Sequence, residues 1–521
     1  MTIKAWVVVL AVLGGIGCVL GSLPPPQKSY KILMLLPMSS KSHRDLFLPL
    51  AEALADRGHK VVMLVNHAPS VRHKNIFEMN HGLPNVLGNG TNAFRRRRTT
   101  LLLRRFSHYR DTLTSIARTI YKVPDVRKLY ERRKDFDVVF TEMMANEMMY
   151  PFVHEVPFIT LCTITLSAQH TAVLGNPLSP AYAPNILVDF PRPLTFANRI
   201  ANLVLQVGFA IYWRFWGILP YVQEEITAQF PDLPSLLELE RNQSLSLINT
   251  HFSLGMSLPL LPSQVEVGGM HCRPGKPLSQ SLKEWIEGAG PAGVVYFSLS
   301  TVAKGSSMPT HYRDLFLSAF SQLEQRVIWE FEVELEEVPD NVLIDKWLPQ
   351  QDILADPGVK VFITHEDLLS SQEAIYHTTP VLVLPITADQ PKTAISMQDS
   401  GFGLALAWEE LTVERIVDSI KEIINNPKYT MKVQEASRIF RDQPEPPLER
   451  AVFWTEYVIR HRGAPILRSP AAELSWVEFL MLDVLAISSF VVFVAFYILC
   501  HLLRVLCGRA FSDGREKVKL E

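Results

Sequence analysis

Trp347–Gln390 reads WLPQQDILADPGVKVFITHEDLLSSQEAIYHTTPVLVLPITADQ, and the order of apolar and polar runs within it decides the fold class. Val359–Thr364 is a short, apolar, β-branched run, the pattern of a buried strand. His365, Glu366 and Asp367 follow at its carboxyl end, and Leu368–Tyr376 then carries helix-forming residues at helical apolar spacing. Val381–Pro385 is a second buried strand, and Asp389 and Gln390 lie just beyond it. In open α/β sheets ligands sit past the carboxyl ends of the strands, and anions often rest on a helix N-terminus. Two strand ends here therefore offer polar side chains to one crevice.

The same alternation extends outward in both directions. Further strands are expected at Val294–Leu299, Val327–Phe331 and Val342–Ile344, with helices between them, so this half of the chain is a parallel sheet. Upstream, Lys31–Leu36 and Lys60–Val65 read as strands around an amphipathic helix over His43–Arg57, whose apolar face is Leu46, Phe47, Leu50 and Leu54. Gly58 ends that helix. Phe136–Thr141, with Glu142 at its end, and Phe158–Cys162 are two more strands. The loop Pro37–Ser42 contains no G-x-G-x-x-G, which excludes a dinucleotide fingerprint. Pro259–Pro277, rich in proline and glycine, reads as the linker between two α/β domains. Pro191–Leu219 is rich in aliphatic and aromatic residues (Phe209, Tyr212, Trp213, Phe215, Trp216), and a core helix and a membrane-facing one both fit it.

Composition sets the surroundings. The chain has 521 residues, room for two ordinary domains, and a net charge of −2, so no global field points to nucleic acid. Residues 1–22 have the basic start, apolar run and small-residue end of a secretory signal peptide. Val484–Leu503 is apolar and long enough to cross a bilayer. Asp483 flanks it on one side, with Arg504, Arg509, Arg515, Lys517 and Lys519 on the other, which places the tail 504–521 in the cytosol and the bulk in the lumen. Lys517 and Lys519 stand where type I membrane proteins of the endoplasmic reticulum carry a retrieval signal. Of five cysteines only Cys162 and Cys272 face the lumen, so a disulfide framework is excluded and at most one bridge remains. Asn89 and Asn242 head glycosylation sequons. The Arg95–Arg98 run reads as an ordinary solvated loop.

Trp347–Gln390 closely resembles the donor-binding signature of the UDP-glycosyltransferases, the glucuronosyl- and glucosyl-transferase group. The matching features are its W-x-P-Q start, its T-H, its Q-E-A-I-Y-H helix and its closing D-Q. Val267–Leu278 (VGGMHCRPGKPL), Val294–Leu299 (VVYFSL) and Asp442–Gly463 (DQPEPPLERAVFWTEYVIRHRG) match as well, so the resemblance covers nearly the whole chain. It implies a GT-B fold: two facing Rossmann-like domains with a C-terminal transmembrane helix. The expected division is a signal peptide over 1–22, an acceptor-binding domain over 23–265, a linker over 266–285 and a UDP-sugar-binding domain over 286–445. A crossing helix and membrane-proximal segment over 446–483, the span over 484–503 and the cytosolic tail complete it.

The resemblance further implies transfer of a sugar from a UDP-sugar to a small lipophilic acceptor, with inversion. His43 stands where the family's general base stands, and an imidazole with a pKa of ~6.5 suits that task. Glu142 stands where many members have an aspartate that orients the base. For the donor, the resemblance assigns Trp347 to the uracil face, Gln350 to its edge and Glu373 to the ribose hydroxyls. His365, with Ser300 and Thr301, would meet the diphosphate, and Asp389 and Gln390 the sugar hydroxyls. No metal or other cofactor is expected beside the UDP-sugar co-substrate. The loop PMSSKSH and the helix LLSSQEAI are closer to arthropod members, which favours glucose.

Three glycine motifs depart from the family pattern. Its usual T-H-G-G is Thr364-His365-Glu366-Asp367, its S-L-G-S is Ser298-Leu299-Ser300-Thr301, and its H-G-x-P is His377-Thr378-Thr379-Pro380. Glu366 and Asp367 are expected in the first turn of the helix that should meet the diphosphate. There a unit charge ~5 Å from another, at an effective dielectric of ~20, costs about 3 kcal/mol. Two readings follow: an active membrane-bound hexosyltransferase of the endoplasmic reticulum, or a non-catalytic relative that binds a lipophilic ligand but no longer holds the donor.

Overall fold

A computed structural model describes residues 23–84, 94, 102–143, 146–177, 179–185, 188, 190, 193–255, 257–299, 304–386 and 390–518. Ser300, Thr301, Asp389, Asn89, Arg95–Arg98, Lys519 and the segment 1–22 lie outside them. Residues up to 468 form one compact unit, and 469–521 form another.

The first unit contains two parallel sheets. One has seven strands: β1 (Lys31–Leu36), β2 (Lys60–Val65), β3 (Ile76–Asn80), β4 (Val138–Glu142), β5 (Phe158–Cys162), β6 (Leu245–Ile248) and β7 (Gln264–Glu266). Their order is β3-β2-β1-β4-β5-β6-β7. The other has six: β8 (Val294–Ser298), β9 (Arg326–Glu330), β10 (Val342–Asp345), β11 (Val359–Thr364), β12 (Val381–Val383) and β13 (Gly403–Ala405), in the order β10-β9-β8-β11-β12-β13. Every central strand is buried on both faces, as parallel strands covered by helices must be. Both sheets reverse direction between their first and fourth strands, and a crevice opens at that reversal.

The amphipathic reading of the first helix holds. It runs over Lys41–Asp56 and buries Leu46, Phe47, Leu50 and Leu54 against β1 and β2, while the Ser40 side chain caps it by accepting from the His43 backbone N–H. Four strands carried too little apolar periodicity to read: β3, β6, β7 and β13. β7 lies inside the stretch read as linker, so Pro259–Pro277 is in part the edge of the first sheet. A three-residue strand is shorter than the window over which alternation can be recognised.

The helix Pro447–Arg460 packs on Lys41–Asp56, with Ala451, Val452, Val458 and Ile459 in the core of the first sheet. Glu456 fixes the contact. Arg57 donates to both its oxygens at 2.6 and 3.0 Å, and His59 Nε2 lies 3.0 Å away. Burial pushes the Glu456 carboxyl up, but the charges and hydrogen bonds of Arg57 and His59 prevail and hold it low. Cys162 and Cys272 are both free thiols.

In the second unit a helix spans Leu482–Val518, and its part Leu482–Leu506 has a mean hydropathy of 2.4 and none of it is buried. That length and composition suffice to cross a membrane. Phe196–Thr227 in the first unit also passes on length and hydropathy, but 39% of it is buried.

Candidate active site

The first crevice brings together a histidine and a carboxylate from distant parts of the chain. His43 is in the first turn after β1, and Glu142 ends β4, the neighbouring strand. His43 Nδ1 pairs with Glu142 Oε1. Glu142 is 5% exposed and accepts two further hydrogen bonds, from the Ser39 hydroxyl on Oε2 and from Thr163 Oγ1 on Oε1 at 3.0 Å. Burial pushes this carboxyl up, yet His43, Ser39 and Thr163 together bring it below its ordinary value, so it stays ionised. An ionised carboxylate on Nδ1 favours the imidazole tautomer that carries its proton there and leaves Nε2 as the unprotonated nitrogen. The extra methylene of glutamate relative to aspartate does not prevent the contact. Ser39 and Thr163 were not singled out from sequence. Thr163 directly follows β5, so the strand-end rule that drew attention to Glu142 would have found it too.

The second crevice lies at the ends of β8 and β11. Gln350 begins a short helix after β10, and its side-chain amide donates to Glu373 Oε2 at 2.6 Å and to Ser370 Oγ at 3.1 Å. Burial pushes the Glu373 carboxyl up to about 8 against the Gln350 hydrogen bond, and the nearby Asp367 adds to the rise. The group is therefore mostly protonated near neutral pH and can donate as well as accept. Trp347 is 63% exposed, an indole face open for stacking rather than a core residue. His365 is buried, and Gln390 opens the helix Gln390–Asp399 with its Oε1 accepting from Ile386 N–H at 2.8 Å.

Glu366 and Asp367 correct one expectation. They precede the helix, which starts at Leu368. Glu366 has a φ of 68°, the left-handed conformation that a glycine adopts without strain, and it is 1% exposed with its carboxylate on the Ser371 hydroxyl. Asp367 is the N-cap: its Oδ1 accepts from Ser370 N–H at 2.8 Å, and Oδ2 from Ser370 Oγ at 3.1 Å. Thr378, at the glycine position of the H-G-x-P motif, also has a positive φ, 63°.

A buried side chain of the second domain links the sides of the two sheets. Gln372, fully buried, donates to Asn249 O at 3.1 Å beyond β6 and accepts from Gly269 N–H at 3.0 Å. Beside it is a cavity of about 190 Å³, lined by Leu166, Leu254 and Leu258 from the first sheet's side and by Leu368, Gln372 and Thr393 from the second. It begins two residues beyond Thr163, the residue that touches both His43 and Glu142.

Residues 32–517 match the model of the UDP-glucuronosyl and UDP-glucosyl transferase family. The chain belongs to the UDP-glycosyltransferases. UDP-glycosyltransferase UGT5 of Dactylopius coccus is 33% identical over 500 residues, covering 93% of this chain and 94% of the relative. UDP-glucuronosyltransferase 2B14 of Oryctolagus cuniculus is 32% identical over 480 residues, covering 87% and 88%. Among solved structures, the glycotransferase of kitacinnamycin superposes with a TM-score of 0.55 at 20% identity, over 83% of this chain and 99% of that one. A UDP-glucosyltransferase of Polygonum tinctorium that glucosylates indoxyl gives 0.55 at 14% identity, over 84% and 99%. The fold of this family member is thus GT-B, with the first crevice on one Rossmann-like domain and the second on the other.

Proposed function

We propose that this UDP-glycosyltransferase moves a hexosyl group, glucose, from a UDP-sugar to the hydroxyl of a small lipophilic acceptor, with inversion. The observation that carries this reading is the His43–Glu142 pair at the β1–β4 reversal, in a chain whose cavity is lined from both domains. In the proposed step the acceptor oxygen attacks the anomeric carbon from the face opposite UDP. The acceptor O–H proton passes to His43 Nε2, the new C–O bond forms, and the bond to the diphosphate oxygen breaks, releasing UDP. Glu142 stabilises the imidazolium that results.

Trp347 would stack on uracil, Gln350 and Glu373 would hold the nucleoside, and Asp389 with Gln390 would bind the sugar. His365, with Ser300 and Thr301, would meet the diphosphate. The step draws on protein groups and needs neither a metal nor a further cofactor. A cavity of about 190 Å³ suits a compact acceptor. The apolar C-terminal helix, the basic tail beyond it and the leader-like start favour a single-pass enzyme of the endoplasmic reticulum membrane, with luminal domains and glycans on Asn89 and Asn242. Detoxification of lipophilic compounds fits such a placement.

One observation favours the non-catalytic alternative: the Asp367 carboxylate occupies the helix N-terminus on which a diphosphate would rest. Calorimetry of UDP-glucose with the full chain in detergent, followed by product detection with an acceptor panel, separates the two. Micromolar to low-millimolar binding, and turnover lost in His43→Ala, support the transferase. No binding at millimolar donor by folded protein leaves the binding-only relative.

A further inference from the structure

Glu266 ends β7, the edge strand of the first sheet, and is the one carboxylate among the described residues that line the cavity of about 190 Å³. Its Oε1 accepts from Thr250 Oγ1 at 3.0 Å, and Thr250, two residues past β6, lines the cavity with it. A Cβ on Gly268 would lie 2.5 Å from Thr250 O, so a glycine is what lets these two strand ends approach. Arg450, the cation that acts on the Glu266 carboxyl, is committed elsewhere: it donates to the Glu266 backbone carbonyl and to Glu445 Oε1, each at 3.0 Å. Among the described residues, none pairs with the other carboxylate oxygen, Oε2. Burial pushes this carboxyl above its ordinary value, against the Thr250 hydrogen bond and the Arg450 charge, so water solvates it poorly. The cavity also borders the proposed base. Thr163 touches His43 and Glu142, and Thr165 begins the lining; consecutive Cα spacing puts these two residues within ~8 Å of each other.

We propose that Glu266 determines acceptor specificity: the cavity takes a compact diol, one hydroxyl to be glycosylated and the second donating to the Glu266 carboxylate. The assignment rests on the transferase reading of the same chain. A second hydroxyl supplies the donor that Oε2 lacks, and a hydrogen bond to an ionised acceptor is about twice as strong as a neutral one. An acceptor of the same outline without that hydroxyl leaves the oxygen desolvated and unpaired, and is disfavoured for that reason. A hydroxyl suits the place better than an ammonium, because a cation would have to be desolvated as well. Leu254, Leu258 and Leu368 offer apolar surface to the carbon frame between the two hydroxyls. The acceptor class thereby narrows from any small lipophilic alcohol to a diol.

The test uses the full chain in detergent and matched phenols that differ by one terminal hydroxyl: para-cresol with para-hydroxybenzyl alcohol, and para-ethylphenol with tyrosol. Affinity is read by calorimetry in the presence of UDP, and kcat/KM with UDP-glucose. The wild type is expected to favour the hydroxylated member of a pair by about tenfold in both readouts, and Glu266→Leu to bring that ratio to about twofold or less. A ratio of about threefold or more that Glu266→Leu abolishes supports the proposal; a smaller ratio, or one that survives the substitution, overturns it. A role of Glu266 in folding alone would lower both members of a pair together and leave their ratio unchanged. Should Glu266→Leu not fold, Glu266→Gln keeps an oxygen for Thr250 and is expected to lower the ratio by about threefold. A ratio present in affinity with no turnover sinks the transferase reading and keeps the preference. Turnover that depends on His43 but shows no ratio sinks only the preference, and a protein that neither binds nor converts any of the four phenols overturns both.

Discussion

His43, after the first strand of one sheet, and His365, after the fourth strand of the other, both stand at the reversal of strand order, and each has a carboxylate within reach. In the first crevice the carboxylate comes from the neighbouring strand. Glu142 is buried and held by Ser39, Thr163 and His43 Nδ1, so its charge serves the imidazole from behind. In the second crevice the carboxylate comes from two residues further along the loop. Asp367 lies in front of the helix start, on the donors that an anionic ligand would use. A carboxylate behind a histidine raises its usefulness as a base; one in front of a helix N-terminus competes with the ligand. The same residue types thus stand behind an imidazole in one crevice and at a helix start in the other.

The comparison is broken most severely at the base. His43→Ala should lower turnover by about 10²–10⁴-fold with little change in UDP-sugar affinity, read from kcat and from donor calorimetry. If turnover survives, the first crevice is not the catalytic one. Glu142→Gln keeps the size but removes the charge, and is expected to lower kcat on the order of a hundredfold and to move the pH profile. An unchanged profile would mean that Glu142 only packs beneath the ring.

Glu373 sharpens the other side. Its carboxyl is pushed from 4.5 to about 8 in the folded state, so the folded protein holds a proton that the unfolded chain releases. Its contribution to stability is accordingly most favourable below the unfolded value and is lost as pH rises through about 8. The unfolding free energy of the wild type should fall across that window by an amount on the order of a few kcal/mol, seen as a falling melting temperature, and Glu373→Gln should flatten the curve. Equal slopes for the two proteins would assign the effect elsewhere. Trp347→Ala should weaken uridine by about 1–3 kcal/mol, the worth of one base stacked on an aromatic ring, with no change in melting temperature because the indole is exposed. The smallest effect is at Thr378, where Thr378→Gly relieves a left-handed β-branched residue and should stabilise the fold by about 1 kcal/mol. Chemical denaturation of the pair would show it.

Much of the frame is legible in the residues. β1, β2, β5, β11 and the helix Leu368–Tyr376 begin and end where their apolar runs do, because parallel strands buried on both faces need uninterrupted apolar runs. β3, β6, β7 and β13 escape detection, since each draws its stability from neighbours already in the sheet rather than from a pattern of its own. The candidate site residues were named through the long family motif, because a loop histidine and a strand-end glutamate show no mutual contact along the chain. Ser39, Ser370 and Thr163 were not, since small hydroxyl residues in loops are common and only contact gives them a role.

Sequence by itself determined the two doubly wound domains, the apolar C-terminal helix, the family, and which residues stand at the strand ends. These follow from local periodicity and from a long motif, both of which are written along the chain. Only the tertiary structure decided that Glu142 reaches His43, that Glu373 is buried enough to hold a proton, and where the two extra carboxylates point. Glu366 and Asp367 are neighbouring carboxylates, yet one turns into the protein and the other caps the helix that follows β11. Direction depends on a single backbone angle, the positive φ at Glu366, and on partners such as Ser371 and Ser370, which only the folded chain brings into reach.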